Sequence, residues 1–86
     1  SKVIKGLMSI INAEDFEDVV LKSDLPVILY FYSDDCPPCY AFAPVFERTF
    51  ERYSDKIKFV KIYRQHNREL AEKLNVMSSP TVLLFR

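Results

Sequence analysis

Residues 27–40 read "VILYFYSDDCPPCY" and join a continuous apolar and aromatic run to both cysteines of the chain. The run at 27–32 is short, β-branched and aromatic, which predicts a strand buried on both faces at the centre of a parallel sheet. Apolar residues at helical spacing follow the cysteines. The sequence therefore places Cys36 between a central strand and the start of a helix, and this placement governs how its thiol reacts.

The remainder of the chain alternates predicted strands with predicted helices. Asn12 is a good N-cap for a helix that runs to about Lys22. Asn67 can cap a second, short helix, and Pro44 lies inside the long helix after the cysteines, where we expect a kink. Further strands are predicted at 7–11, 58–63 and 81–85. The order β-α-β-α-β-α-β predicts a three-layer α/β fold with helices on both faces of the sheet.

The composition fits a single small domain spanning residues 1–86, because this length is too short for two domains. Lys+Arg and Asp+Glu both number 12, and zero net charge argues against nucleic acid or an anionic membrane as the main partner. No apolar run approaches the ~20 residues of a membrane span, and no stretch has the composition of a signal peptide. We therefore expect a cytoplasmic protein that does not bind membranes.

The cysteine pair lies where a helix can lower the pKa of a thiol. The first turn of a helix presents unpaired N–H groups and a partial positive charge, which can move a thiol pKa from ~8.5 toward ~7 or lower. Cys39 lies one turn after Cys36, within reach of a disulfide bond. Such a pair can form a mixed disulfide with a substrate through Cys36 and then resolve it with Cys39.

Two other roles for the cysteines stay open at this point. A zinc site usually needs four Cys or His ligands. The chain has two cysteines and one histidine, His66 in a polar stretch typical of a solvated loop, so zinc would have to be shared between two chains. A purely structural disulfide between such close neighbours closes a very small loop and would stabilise little. Redox chemistry without a metal is the favoured prediction.

The chain resembles the thioredoxin family over nearly its whole length. The resemblance is carried by Cys36-Pro37-Pro38-Cys39 with Pro44 after it, by "VILYFYS", and by "NRELAEKLNV" followed by Ser79-Pro80-Thr81. It implies a thioredoxin-like fold, in which a central mixed β-sheet carries helices on both faces. It also implies a redox-active disulfide with no other cofactor, protein disulfides as substrates, and electrons from a reductase or a partner dithiol.

The resemblance implies roles for individual residues as well. Cys36 would be the nucleophile and Cys39 the resolving thiol. Pro80 would follow a cis peptide bond across from the disulfide, and Ser79 would offer backbone hydrogen bonds to an extended substrate peptide. Lys61 matches a strand lysine that lies near the buried cysteine in the family.

Residues beside the nucleophile depart from the family pattern. Asp35 stands where the family usually has Trp, and Pro37 stands where it usually has Gly. Asp34 and Asp35 are either solvated loop acids or residues that tune Cys36, since their negative charge disfavours a thiolate. Pro37 removes an N–H donor. Both changes should raise the pKa of the Cys36 thiol, which makes the dithiol more reducing. Pro37 and Pro38 together stiffen the segment between the two sulfurs.

Two tyrosines near the site have different predicted roles. Tyr30 occupies the position of a buried Asp that helps to move protons at the second cysteine in the family. It is either a core residue with a hydrogen-bonded hydroxyl or a substitute in that proton path. Tyr40 directly follows the second cysteine, and we predict that it forms part of the substrate rim.

A complete member of the family would continue beyond Arg86 into an edge strand and a C-terminal helix. We therefore expect a C-terminally incomplete domain that lacks these last two elements. The open edge of the strand at 81–85 would invite pairing with another chain, as in a homodimer. Two functions fit these expectations, a thiol–disulfide oxidoreductase and an adaptor domain that binds proteins in the same groove with little turnover.

Overall fold

A mixed four-stranded sheet forms the centre of the computed structural model, which describes residues 8–86. The strands are β1 (Ser9–Ile11), β2 (Val27–Tyr32), β3 (Lys58–Tyr63) and β4 (Thr81–Phe85). Their spatial order is β1-β3-β2-β4, with β3 parallel to β1 and β2, and β4 antiparallel to β2. The predicted strands are confirmed within one or two residues, although Leu7 lies outside the described residues.

The helical elements are one long helix and three shorter segments. Helix α1 spans Pro37–Tyr53 and α2 spans Arg68–Lys73. The N-terminal helical segment is a 3-10 turn at Ala13–Asp15 followed by a π-helix at Glu17–Leu21, and a further 3-10 turn covers Arg64–His66. The alternation of strands and helices predicted from the sequence is thus confirmed.

Side chains of β2 alternate between two separate hydrophobic cores, as the pleat of a strand requires. Leu29 and Phe31 are fully buried on one face, where the N-terminal helical segment and α2 pack through Val20 and Ala71. Tyr30 points to the other face, against α1. That second core contains Tyr30, Phe46, Phe50 and Phe59. The predicted three layers, with helices on both faces of the sheet and β2 buried between them, are therefore confirmed.

Some apolar side chains of α1 and β4 remain exposed. Val45 and Tyr53 belong to the apolar stripe of α1, yet they are 45% and 40% exposed because they lie at its flank. Val82 and Leu84 pair with Tyr30 and Ile28 of β2, so they share the face that α1 covers, but they remain exposed. Helix α1 therefore covers β2 and β3 and leaves part of β4 open.

Asn67 is the buried polar residue that ties the N-terminal segment to the rest of the fold. It lies at the N-cap of α2, as predicted, but its side chain makes no capping hydrogen bond there. Its Oδ1 instead accepts from the Ala13 N–H at 2.7 Å, and its Nδ2 donates to the Tyr63 carbonyl at 2.8 Å and to Asn12 Oδ1 at 3.4 Å. The amide therefore satisfies backbone groups of two distant segments.

Replacing Asn67 with alanine is expected to lower the free energy of unfolding by about 2–3 kcal/mol, because it leaves the Ala13 N–H and the Tyr63 carbonyl without partners. Urea unfolding followed by circular dichroism measures the loss. The comparison variant is Asn12→Ala, which removes the 3.4 Å contact and the N-cap of the 3-10 turn at an exposed residue and should cost about 0.5–1 kcal/mol. Equal losses in the two variants would contradict the prediction.

Candidate active site

The carboxyl end of β2 and the loop before β4 bring the predicted site residues together. Cys36 lies at the start of α1, and β4 begins beside the end of β2, with Thr81 paired to Phe31. The Cys36 Sγ lies 3.6 Å from the carbonyl oxygen of Ser79, and the Ser79–Pro80 peptide is cis. The cysteine and the proline loop, which are far apart in the sequence, thus form one site.

Cys36 and Cys39 are joined by a disulfide, with their Cα atoms 5.2 Å apart. Their exposed fractions are 8% and 4%, so Cys36 is the more accessible of the two sulfur-bearing residues. Both residues are buried, so the roles of Cys36 as the attacking residue and Cys39 as the resolving one stay predictions here.

The two prolines between the cysteines occupy the first two positions of α1. The first N–H groups of a helix have no partner within the helix, so proline costs no helical hydrogen bond there. The Cys39 N–H, one position later, donates to Cys36 Sγ at 3.2 Å. Of the first three residues of α1 only Cys39 can donate in this way, because Pro37 and Pro38 have no N–H. The start of α1 therefore offers the sulfur a single backbone donor.

The acidic loop before Cys36 is held by two tyrosine hydroxyls. Tyr63 Oη donates to the Asp34 carboxylate at 2.7 Å, and this hydrogen bond is the main reason that the pKa of Tyr63 is raised. The Asp35 N–H donates to Tyr40 Oη at 3.2 Å. Asp35 itself has φ 49°, a left-handed conformation that Asp tolerates better than most residues. The direction of the chain entering Cys36 thus depends on side chains from β3 and α1.

Tyr40 was predicted at the substrate rim, and its ring is 62% exposed beside the cysteines. The same side chain supports the backbone of Asp35. Its role at the rim stays a prediction, now with a second task in shaping the loop.

Tyr30 lies in an aromatic cluster beneath α1 and is 3% exposed. Its ring centroid is 4.6 Å from that of Phe46 and 5.3 Å from that of Phe42. Burial, with a smaller contribution from Tyr32, raises its pKa above the ordinary value of 10.0. A phenol with such a pKa keeps its proton at neutral pH, which favours the core role over a role as a base.

Lys61 pairs with Tyr30 across β2 and β3, so both residues lie on the α1 face of the sheet. Its Nζ lies 4.9 Å from the centroid of the Tyr32 ring, a cation–π geometry. Within residues 8–86 no hydrogen bond joins Lys61 to Cys39. A role for Lys61 near the buried cysteine therefore stays a prediction.

Three residues at the site had no role predicted from the sequence. Ser33 Oγ shares a hydrogen bond of 2.6 Å with Ser79 Oγ, and Arg64 Nη2 donates to the Met77 carbonyl at 3.1 Å. Tyr63, which bonds Asp34, is the third. Ser33 follows β2, Tyr63 ends β3 and Arg64 follows it, and the carboxyl ends of parallel strands share one edge of the sheet. Their position at the carboxyl ends of predicted parallel strands was the one feature of the sequence that could have identified them as site residues.

The described part of the chain contains no group of three or more His, Cys, Asp or Glu residues placed to hold a metal ion. His66 is exposed, and its ring packs edge-on against Tyr63 with 4.6 Å between centroids. Among residues 8–86, no helix has the length and apolar character that crossing a membrane requires.

Comparison with known proteins gives consistent matches. The family model described as Thioredoxin matches residues 7–86. The thioredoxin of Rickettsia bellii is 36% identical over 80 residues, which is 93% of this chain and 76% of that protein. The thioredoxin of Haemophilus influenzae is 38% identical over 76 residues, covering 88% and 71% of the two chains. The chloroplastic M-type thioredoxin of Chlamydomonas reinhardtii is 33% identical over 86 residues, all of this chain and 61% of that protein.

Proposed function

Because the chain belongs to the thioredoxin family of thiol–disulfide oxidoreductases, we propose that Cys36 and Cys39 are its redox-active pair and exchange disulfides with protein substrates. The observation that carries this proposal is the position of the disulfide at the start of α1. There the Cys39 N–H donates to Cys36 Sγ at 3.2 Å. The same donor would stabilise the Cys36 thiolate after reduction, and the thiolate is the reactive form.

The proposed reaction begins with the reduced pair. The Cys36 thiolate attacks one sulfur of a substrate disulfide, the other substrate sulfur leaves as a thiolate, and a mixed disulfide forms. Cys39 then loses its proton to solvent, and its thiolate attacks Cys36 Sγ. This step forms the Cys36–Cys39 disulfide and releases the second substrate thiol, so two electrons pass to the substrate. A reductase or a partner dithiol returns the pair to the reduced state. No metal or organic cofactor takes part in this exchange.

Ser79 and Pro80 form the proposed binding wall for the substrate. The Ser79 carbonyl lies 3.6 Å from Cys36 Sγ, so a peptide extended along Ser79 would bring its own disulfide onto that sulfur. Pro80 precedes β4 and has no N–H, which leaves this stretch of backbone unable to pair as a regular ladder. Tyr40 would complete the rim on the opposite side, where its ring is exposed.

The test of the proposed function is the reduction of insulin disulfides by dithiothreitol. The reduced wild-type protein should accelerate the reaction, whereas the same protein alkylated at both thiols with iodoacetamide should not. Alkylation blocks the sulfurs and changes no other residue. Equal rates for the two samples would contradict the oxidoreductase and leave a protein-binding adaptor as the function of the groove.

We further propose that the residues around Cys36 make the pair more reducing. Asp35→Asn should lower the pKa of the Cys36 thiol by about half a unit, because one negative charge near the sulfur is removed. The thiolate and hence the reduced form gain stability, so the potential should rise by about 15 mV. Thiol titration by absorbance at 240 nm and equilibration in a glutathione buffer measure these changes. Glu47→Gln on α1 is the control charge removal, and an equal effect there would contradict a local role for Asp35.

Within residues 8–86 β4 pairs only with β2, and its other edge is the proposed contact for a second copy of the chain, which can add a strand there. Val82 and Leu84, which are 42% and 56% exposed on the α1 face of β4, would add apolar area beside that edge. Light scattering tests the homodimer, and a monomer at all concentrations would contradict it.

We also propose a cytoplasmic location, because a reducing dithiol is maintained by the thiol pool of that compartment. Fractionation of the source cells tests this location.

A further inference from the structure

Three loops surround Cys36, and side-chain hydrogen bonds connect each of them to the other two. The first is the loop after β2, which carries Ser33, Asp34 and Asp35. The second follows β3 and begins with Arg64. The third is the loop before β4, at 77–80, which carries the proposed substrate wall. Three contacts therefore link these loops into a ring beside the disulfide, and the dipeptide Tyr63-Arg64 supplies two of them.

Tyr63 connects the second loop to the first. Its hydroxyl donates to the Asp34 carboxylate at 2.7 Å. This donor–acceptor distance is typical of a charge-assisted hydrogen bond. The ring is fixed independently of the hydroxyl, because it stacks against Tyr32 at 5.5 Å and against His66 at 4.6 Å between centroids. Removing the hydroxyl alone should thus release Asp34 without displacing the ring.

Arg64 connects the second loop to the third. Its Nη2 donates to the Met77 carbonyl at 3.1 Å, close to the cis Ser79–Pro80 peptide. The Nε of the same guanidinium is buried and finds no hydrogen-bond partner among residues 8–86. Arg64 as a whole is half-buried, and its hydrogen bond to Met77 lies at the surface. The guanidinium thus stays partly in solvent while it fixes the position of the Met77 carbonyl.

The third contact closes the ring. Ser33 Oγ and Ser79 Oγ share a 2.6 Å hydrogen bond between the loop that leads to Cys36 and the substrate wall. Two hydroxyls bonded in this way fix the separation of the two loops directly. The Ser79 carbonyl, 3.6 Å from Cys36 Sγ, is thereby held at a set distance from the sulfur.

We infer that Tyr63 and Arg64 are positioning residues that hold the two walls of the peptide groove at the spacing required by a protein disulfide. The inference rests on the proposed function and assigns to that site its selectivity for protein over small disulfides. A small disulfide needs only the Cys36 sulfur, whereas a protein segment must also lie along the wall at 77–80. The ring therefore contributes more to the binding of protein substrates than to the exchange at sulfur.

The test compares Tyr63→Phe and Arg64→Met with matched controls. Tyr53→Phe removes a hydroxyl at the last residue of α1, and Arg68→Met removes an exposed guanidinium at the start of α2. Each variant is assayed with insulin and with a small aromatic disulfide, and thermal unfolding is recorded. We expect KM for insulin to rise by about 5–10-fold in the two ring variants, the effect of about one lost hydrogen bond. The ratio of kcat/KM for insulin to kcat/KM for the small disulfide should therefore fall by about 5–10-fold in the two ring variants and stay within about twofold of wild type in the two controls.

Amide hydrogen exchange provides a readout that does not depend on activity. In Tyr63→Phe the amides of Asp34 and Asp35 should exchange faster than in wild type, and in Arg64→Met those of Met77 and Ser78 should do so. Unchanged KM and unchanged exchange in both ring variants would overturn the inference. An equal slowing with both substrates, accompanied by lower thermal stability, would also overturn it, because that result describes a general structural role.

The two proposals fail in different ways. If wild type reduces neither substrate, the proposed function fails. The amide hydrogen exchange rates alone then show whether Tyr63 and Arg64 hold the loops in place. If wild type is active and the ring variants match the controls in KM and exchange, the ring fails and the function stands. A double variant gives a further check, because two contacts in one ring should be non-additive in KM.

Discussion

Replacing Cys36 with serine should abolish the catalysed reduction of insulin disulfides, so that only the uncatalysed rate of dithiothreitol remains. A serine hydroxyl at neutral pH is almost entirely protonated and is a far weaker nucleophile than a thiolate. The fold should persist, because Cys36 lies at the N-cap of α1, where serine is a favoured residue. Far-UV circular dichroism checks the fold beside the turbidity assay.

Cys39→Ser should stop turnover at a different step. Its Cys36 can still attack a substrate disulfide, but no second thiol is present to resolve the product, so a covalent complex should accumulate. Non-reducing gel electrophoresis and intact mass measurement would detect the complex, and dithiothreitol should release it. Accumulation of this complex in Cys36→Ser instead would reverse the two roles. Loss of activity without a trapped complex in either variant would contradict the proposed order of attack.

The predicted placement of the cysteine pair was confirmed because its signal is local. The apolar run at 27–32 and the helical spacing after Cys39 are contained in neighbouring residues, and each determines its own element. The same reasoning placed the strands at 58–63 and 81–85. Hydrophobic periodicity identifies which face of an element is buried, and two buried faces in β2 required helices on both sides of the sheet.

The ring around Cys36 could not be predicted in this way. Ser33 and Ser79 are 46 positions apart in the sequence, and Asp34 and Tyr63 are 29 apart. Contacts of such separation depend on how the loops after the strands approach one another, which no local pattern records. Serine is common in loops and tyrosine is common in strands, so their presence alone points to no partner.

The sequence predicted helix type and helix capping only in part, for a related reason. The spacing of Phe16, Val19 and Val20 indicated one buried face, and those residues do pack on the sheet. It did not determine the pitch, which is a 3-10 turn followed by a π-helix. Asn67 is typical of an N-cap and lies at one, but the Ala13 N–H competes successfully for its side chain. In both cases tertiary contacts decided what local propensity left open.

Tyr30→Asp should lower the free energy of unfolding at pH 7 by at least about 4 kcal/mol, because it removes a large aromatic side chain and buries a carboxylate. The ring fills a site 3% exposed, 4.6 Å from Phe46 and 5.3 Å from Phe42 between centroids. Tyr30→Phe is the matched control and should cost less than about 1.5 kcal/mol, since the volume is nearly conserved. Urea unfolding at fixed temperature measures both losses.

The pH dependence of the Tyr30→Asp loss has a defined sign. Burial raises the pKa of a carboxyl in the folded state above its unfolded value of about 3.9, so the unfolded chain releases its proton first. The unfolded state binds fewer protons above that pH, and the stability of the variant relative to wild type should fall as pH rises. The loss should therefore be smallest below about pH 4 and should grow until the folded-state pKa is passed. A loss independent of pH would mean that the new carboxylate reaches solvent.

The same pair of variants decides what Tyr30 does for Cys39. A phenol whose pKa lies above 10.0 cannot accept the Cys39 proton at neutral pH, so Tyr30→Phe should leave the resolving step within about twofold of wild type. Single-turnover release of a substrate thiol from the mixed disulfide measures that step, apart from the initial attack by Cys36. A slowing of about tenfold or more in Tyr30→Phe, at unchanged stability, would place the hydroxyl in the proton path after all. If the rate is unchanged, Cys39 gives its proton to solvent, and Tyr30 occupies the family's buried carboxylate position as a hydrophobic core residue.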